Sequence, residues 1–344
     1  MVVPLARAAE RELTDPRRAA IAAPMDLDRL RATLFAMPEI AALPPLRELI
    51  GRVGRSKQIP CWDYPGLAAA ALGGRPEQTE AASVAIFASL AAIHLVDDML
   101  DEDPDGVHHT LGSGIVANFA LLLQGAAHRA IGDAKLEPAI AAAMQARLAA
   151  MTMVTSLAQH FDTQPCADEA AYFRVIDSKT PPLFGCALAL GALHAGAGPA
   201  QVDGIAALAL DFGRMIQVSD DLKDAFERPA KPDWRRPTNN LALLYASVAA
   251  HEQREHFVEL CARVGRGDAD ALPAAHALLW RSGAPAYCMH HMIAARRRVL
   301  AQLDALALPN PAPLVDLLHS PIEPLLHLLA DAGVAAPEQL LGAA

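Results

Sequence analysis

Two acidic stretches, each closing an apolar segment, constrain this chain more than anything else in it. The first, Asp97-Asp98-Met99-Leu100-Asp101-Glu102-Asp103, follows a run from Ala81 to Val96 with no Asp, Glu, Lys or Arg. That run reads as a helix crossing a core. Residues four apart share a helix face, so Asp97 and Asp101 point the same way with Asp98 beside them. Like charges packed this way repel unless a cation sits between them. All-oxygen ligands suit a hard cation such as Mg²⁺. A solvated acidic helix end explains one such cluster equally well.

The second stretch, Gln217-Val218-Ser219-Asp220-Asp221-Leu222-Lys223-Asp224, repeats the i, i+1, i+4 carboxylate spacing at the end of another apolar helix, 220 − 97 = 123 residues on. Two such helix ends facing each other across a bundle hold metal on both sides of one polyanion. Lys179 adds a compact positive charge just before the small-residue run Leu183–Gly196. Gln159-His160-Phe161-Asp162 interrupts another apolar helix with polar groups.

The remaining sequence favours one all-α domain. Hydrophobic residues make up 53% and aromatics 5%, with Ala and Leu dominant and β-branched residues sparse. Residues 1–25, rich in Ala and Arg, read as a loosely ordered arm, and 26–344 as a single domain. Helices are expected at about 114–131, 135–160, 167–178 and 201–226, with three or four more closing the chain. Leu72-Gly73-Gly74 reads as a helix stop, and Pro229–Pro237 as a loop. No uninterrupted apolar run reaches the roughly 20 residues of a membrane span. A net charge of −10 argues against a nucleic-acid partner. Five scattered cysteines without CxxC spacing read as buried apolar residues in a reducing compartment, with the cytoplasm as expected location.

Taken together, these motifs resemble the trans-polyprenyl diphosphate synthase family and its descendants in the isoprenoid-synthase fold. Asp97–Asp101 resembles the first aspartate-rich motif, and Gln217–Asp224 the second. Ser178-Lys179-Thr180 with Leu190-Gly191-Ala192 is similar to the Lys-Thr element, and Ala158–Asp162 to a Gly-Gln-x-x-Asp stretch with Ala for Gly. The order and spacing agree over roughly residues 45–300. The resemblance implies a helical bundle around a deep apolar cavity, with Mg²⁺ (about three ions) and an allylic prenyl diphosphate at its mouth. It implies Asp97, Asp101 and Asp220 as metal ligands, and Asp98, Asp221 and Asp224 as ligands or their supports. Lys179 and Gln217, helped by Gln159, would orient the diphosphate. Arg235 and Arg236 would cap it. Ala92 and Ile93, five and four residues before Asp97, would line the chain-length pocket, and the small Ala92 suits a substrate of fifteen to twenty carbons or longer. A homodimer is also implied.

The chain departs from the family where a second anion, isopentenyl diphosphate, would bind. Gly54-Arg55-Ser56-Lys57-Gln58-Ile59-Pro60 lacks most of the family's basic turn, Asp103–His109 holds no arginine pair, and Leu90 replaces a histidine. The closing residues are apolar where the family ends in cations. A dianion meeting about two cations where the family offers about four binds poorly once desolvated. The expectation is therefore a class I terpene synthase that ionises one allylic diphosphate and cyclises the cation. A chain-elongating prenyl diphosphate synthase is the alternative, and a non-catalytic partner subunit the second. Pro181-Pro182 either breaks the helix after Lys179 and turns carbonyls into the cavity, or is an ordinary kink.

Overall fold

The computed structural model describes residues 25–54 and 59–321. The N-terminal arm to residue 24, the basic-turn residues Arg55 and Lys57, and the closing residues from 322 lie outside these. Among the described residues there is no strand. The chain begins with α1 (Leu27–Phe35), α2 (Pro38–Ala41), α3 (Pro44–Arg52) and α4 (Tyr64–Ala71). The first long helix, α5 (Glu80–Leu100), leads through α6 (His108–Leu111) to α7 (Ser113–Gly132) and α8 (Pro138–Asp162). Then come α9 (Glu169–Lys179), α10 (Pro181–His194) and α11 (Pro199–Phe226). The chain continues with α12 (Leu241–Val248), α13 (Arg254–Gly265), α14 (Leu272–Arg281), α15 (Ala284–Ala305) and α16 (Ala312–His319).

The closing region thus holds five helices, beyond the three or four expected. Gly267 (φ +92°) divides α13 from α14, and Gly283 (φ +86°) starts α15. The expected 229–237 loop contains two 3₁₀ turns, Pro232–Arg235 and Pro237–Asn239.

The bundle is organised around α10, whose residues Leu183–Ala192 are all buried. A helix apolar on every side belongs at the centre of a packed domain. It contacts α4, α5, α8, α9 and α11. Its small residues allow backbones to meet: a Cβ on Gly191 would come within 2.1 Å of the Pro65 carbonyl oxygen on α4. The predicted stop after α4 is formed by Gly73 (φ +78°), with Gly74 N donating to Ala69 O at 2.8 Å and Gly73 N to Ala70 O at 3.1 Å. These bonds satisfy carbonyls that the helix end leaves open.

Thr180 joins α9 directly to α10, serving as C-cap of one and N-cap of the other. Pro181 takes the first helical position, where a missing N–H costs nothing. The proline pair therefore begins a helix, and Thr180 O accepts from Phe184 N at 3.5 Å instead of being left free toward the cavity.

Two helical stretches are long and apolar enough to cross a membrane by length and composition, 76–100 and 138–162. Both run longer than the uninterrupted apolar stretch seen in the sequence, because each includes occasional polar residues. The first is packed in the bundle. The second, α8, is buried over only 22% of its most apolar stretch. Its exposed side carries Met153, Val154, Leu157 and Phe161, beside Ile115 and Leu121 of α7.

Candidate active site

Four helix ends and one loop bring the polar residues together. Asp97 and Asp98 sit in the last turn of α5, and Asp101 is its C-cap. Gln159 and Asp162 end α8, Lys179 ends α9, and Gln217 to Asp224 lie in the last turns of α11. Arg235 and Arg236 come from the following 3₁₀ segment.

Lys179 is the centre of the arrangement. Its Nζ lies 2.6 Å from Asp162 Oδ2 and 3.2 Å from Asp97 Oδ1. Burial opposes its charge, but Asp97 and Asp162 outweigh that and raise its pKa, so it is a fixed cation. Gln159 Nε2 donates to Asp97 Oδ1 at 2.7 Å, which orients that carboxylate from α8. Arg236 reaches across from the second motif: Nη2 donates to Asp101 Oδ1 at 2.5 Å and Nη1 to Asp162 O at 2.9 Å. Arg235 Nη1 lies 3.8 Å from Glu102 Oε2. The loop arginines thus stand beside the first acidic motif, a placement their sequence position did not reveal.

The carboxylates are held in different ways. Burial, and then Asp97, raises the pKa of Asp101, while Lys179 and Arg236 pull it down. Burial and Asp103 raise that of Asp98, opposed by His94. Asp220 is exposed, yet desolvation by the surrounding protein raises its pKa, opposed by Lys223. Asp224 is pushed up to about 6 by burial and Asp233. Neither Asp220 nor Asp224 has a side-chain hydrogen-bond partner among the described residues, so both are free for a ligand.

Asp221 is built differently. It is 3% exposed, and Oδ2 accepts from Tyr172 OH (2.6 Å) and Leu241 N (2.7 Å) while Oδ1 accepts from Gln217 Nε2 (2.9 Å). With both oxygens engaged, this carboxylate braces α11 against α9 and the start of α12. Gln217, expected on the diphosphate, is committed to Asp221, with Thr180 Oγ1 3.5 Å from its Oε1. Asn240 continues the brace: its amide donates to Asp221 O (2.8 Å) and Asp233 Oδ2 (2.7 Å) while its oxygen caps α12.

Sequence reading missed Tyr172, Asn240 and Asn239, whose amide donates to Asp162 O at 2.7 Å. Asn before an apolar run is an N-cap signal that could have marked Asn240. Nothing in the sequence marks Tyr172. Ala92 is buried on α5 and Ile93 partly so, below the acidic turn.

Among the described residues, no three Asp, Glu, His or Cys side chains converge into a ready cation cage. Lys179 and Arg236 draw Asp97 and Asp101 to themselves. The donor set still fits a hard divalent ion: it is all oxygen, and Asp98, Asp101, Asp220 and Asp224 have carboxyl pKa values raised by burial, which a nearby cation would relieve. Mg²⁺ usually takes one or two carboxylates, with substrate phosphates and water completing its shell.

An all-α bundle with two carboxylate-bearing helix ends around a buried lysine has the isoprenoid-synthase architecture, and solved structures share it. A geranylgeranyl pyrophosphate synthase matches with TM-score 0.74 at 17% identity, covering 87% of this chain and 95% of that one. A decaprenyl diphosphate synthase from Rhodobacter capsulatus matches at 0.72 and 20% identity, over 93% and 98%. A polyprenyl synthetase from Streptomyces coelicolor A3(2) matches at 0.71 and 18%, over 87% and 94%. No curated protein matches in sequence. The polyprenyl synthetase family model matches residues 66–276, which span both acidic motifs. The chain belongs to the polyprenyl synthetase family.

Proposed function

We propose that this protein is a Mg²⁺-dependent trans-prenyl diphosphate synthase that extends an allylic prenyl diphosphate with isopentenyl diphosphate. Family membership supports an enzyme acting on prenyl diphosphates, and the similar solved structures carry the names of chain-elongating synthases. The observation that carries the reading over cyclisation is the match over nearly the whole chain to solved structures named as geranylgeranyl and decaprenyl diphosphate synthases. Arg236 on Asp101 adds positive charge beside the first motif.

Asp97, Asp98 and Asp101 on one wall and Asp220 and Asp224 on the other would hold the metal, with Asp221 as their brace. A metal held there would supply positive charge to offset the charge developing on a departing diphosphate. Lys179 and Arg236 present fixed N–H donors to the same leaving group, and such preorganised charge is worth more in a site that excludes water. The buried apolar wall of α5 below Asp97, with Ala92 and Ile93, shelters the allylic cation from water.

Cyclisation of one allylic diphosphate is the second reading. It is favoured by the absence of arginine between Asp103 and His109 and by Leu90. Incubation with geranyl, farnesyl or geranylgeranyl diphosphate and Mg²⁺, with and without isopentenyl diphosphate, separates the two. Longer diphosphates appearing only with isopentenyl diphosphate support elongation. Hydrocarbons or alcohols formed without it overturn that reading in favour of the cyclase.

The assembly is proposed to be a homodimer closed through α7 and α8. Leu121 and Met153 are 72% and 73% exposed, and both helices carry few charges along that side, so the face is suited to a second copy of itself. Light scattering during gel filtration should give twice the 36.4 kDa chain mass. Met153→Asp should shift it toward monomer, and a monomeric parent chain overturns the proposal.

A further inference from the structure

The two acidic turns differ in what already touches them. Two carboxylates of the first turn are gripped by cations of the chain itself, Asp97 by Lys179 and Asp101 by Arg236. Asp220 and Asp224 of the second turn have no such partner among the described residues. The four gripped side chains are between 19% and 33% exposed, so solvent screens these pairs less than it screens pairs on an open surface.

Each cation has a second attachment, and both attachments lie on one residue. Lys179 Nζ donates to Asp162 Oδ2 at 2.6 Å, and Arg236 Nη1 donates to the Asp162 carbonyl oxygen at 2.9 Å. Asp162 is itself pinned by Asn239, whose Nδ2 lies 2.7 Å from that carbonyl oxygen and 3.2 Å from Oδ1. For Lys179 the contact with Asp162 is shorter than the 3.2 Å contact with Asp97, so Asp162 is the anchor. An ammonium has three donors and a guanidinium five. Both cations can therefore turn from the first acidic turn toward a new acceptor without leaving the mouth of the bundle.

A divalent ion arriving alone at the first turn competes with these contacts. It takes Asp97 or Asp101 only by leaving Lys179 or Arg236 with one partner fewer, and uncoupling a partly buried charge pair is costly. Asp98 and Asp103 keep the turn negative, so the contacts lower its affinity for a lone ion without repelling the ion. A diphosphate removes the competition. Its oxygens take the donors of Lys179 and Arg236, and the same exchange frees Asp97 and Asp101. The second turn has no competing cation and is open from the start.

We propose that Lys179 and Arg236, carried on Asp162, are resident counter-ions that hold the metal affinity of the first acidic turn low until a diphosphate takes them. The proposal rests on reading the two turns as metal sites. Such coupling is reciprocal: the factor by which pyrophosphate tightens metal binding at this turn is the factor by which metal tightens pyrophosphate.

The test uses the full chain, with Mn²⁺ titrations followed by electron paramagnetic resonance and binding of the Mn²⁺–pyrophosphate complex followed by calorimetry. Arg236→Gln should tighten Mn²⁺ binding without pyrophosphate by about tenfold, equivalent to about 1.4 kcal/mol. The same substitution should weaken binding of the Mn²⁺–pyrophosphate complex. Lys179→Gln should act with the same pair of signs through Asp97, and melting curves qualify both variants. Opposite signs distinguish a counter-ion from a residue that only supports the fold, whose loss weakens both. Mn²⁺ binding that is unchanged or weaker in both variants without pyrophosphate would overturn the proposal. If the parent chain binds no Mn²⁺ even with pyrophosphate, the metal reading of the turns fails and the proposal with it. Failure of the elongation assay alone leaves it standing, because no turnover is measured.

Discussion

Lys179 Nζ lies 3.2 Å from Asp97 Oδ1, so the last turn of α9 and the last turn of α5 are joined by one ion pair at the mouth of the bundle. The same nitrogen holds Asp162 at 2.6 Å, which makes Lys179 the common partner of two carboxylates from two other helices. Replacing Lys179 by Met leaves both carboxylates partly buried without a cation. Steady-state assays should show turnover falling about 100-fold or more, the scale for loss of one preorganised electrostatic group. Asp97→Asn and Asp220→Asn should lose at least as much. Turnover within tenfold of the parent for either Asn variant would refute the assignment of these carboxylates.

The brace at Asp221 has a pH signature. Burial pushes this carboxyl up to about 7 despite hydrogen bonds from Tyr172, Gln217 and Leu241 N that favour its charge. An unfolded aspartate titrates near 3.9, so roughly three pH units separate the two states. Because the folded value is the higher one, the native state binds the proton more tightly. The group's contribution to stability is therefore full below about pH 4 and lost as the pH climbs through 7. Asp221→Asn removes the dependence. Measured in EDTA, the melting temperature of the Asn variant relative to the parent should rise between pH 4 and 7.5. A constant difference would show that Asp221 is not desolvated in this way.

Arg236 ties the loop after the second motif to Asp101 and to the Asp162 carbonyl. Arg236→Gln keeps a donor but removes the charge, and hydrogen bonds to charged groups are worth about 1.5–3 kcal/mol. A loss in kcat/KM of about tenfold to a hundredfold is expected, with little change in melting temperature because the side chain is partly solvent-exposed. An unaltered kcat/KM would remove Arg236 from the site.

The crossing of α4 and α10 predicts a sharp steric effect far from the carboxylates. A methyl at Gly191 meets Pro65 O at 2.1 Å and Pro65 C at 2.7 Å, both backbone atoms that cannot rotate away. Overpacking typically costs about 1–3 kcal/mol, which in a chain of this size lowers the melting temperature by roughly 1–4 °C. Gly125→Ala on α7 is the control, since its added Cβ meets nothing within 4 Å. Equal melting temperatures for the two variants would refute the close approach.

The long helices and both acidic turns were legible because apolar periodicity and carboxylate spacing are local properties of the chain. Lys179 was found by its position before a small-residue helix. What stayed hidden was pairing. Asp220 and Asp221 are adjacent and chemically identical, yet one faces solvent and the other is locked under Tyr172, a division set by how α9 and α12 pack on α11. Arg236 sits 135 residues from Asp101 in the chain, so no reading of neighbours could place it there. The missing basic residues after the first motif therefore looked like a deficit of charge.

The direct joint at Thr180 also bears on when the site takes shape. Lys179 is the last residue of one helix, and the next helix begins two residues later, so both sides of its backbone are already fixed. Ordering a residue costs on the order of 1–2 kcal/mol, and at Lys179 folding has met that cost before any substrate arrives. Arg236 lies between two short 3₁₀ turns, and its place is set by what its side chain grips, Asp101 and the Asp162 carbonyl. One cation is therefore positioned by backbone on both sides, and the other by its contacts with the first motif.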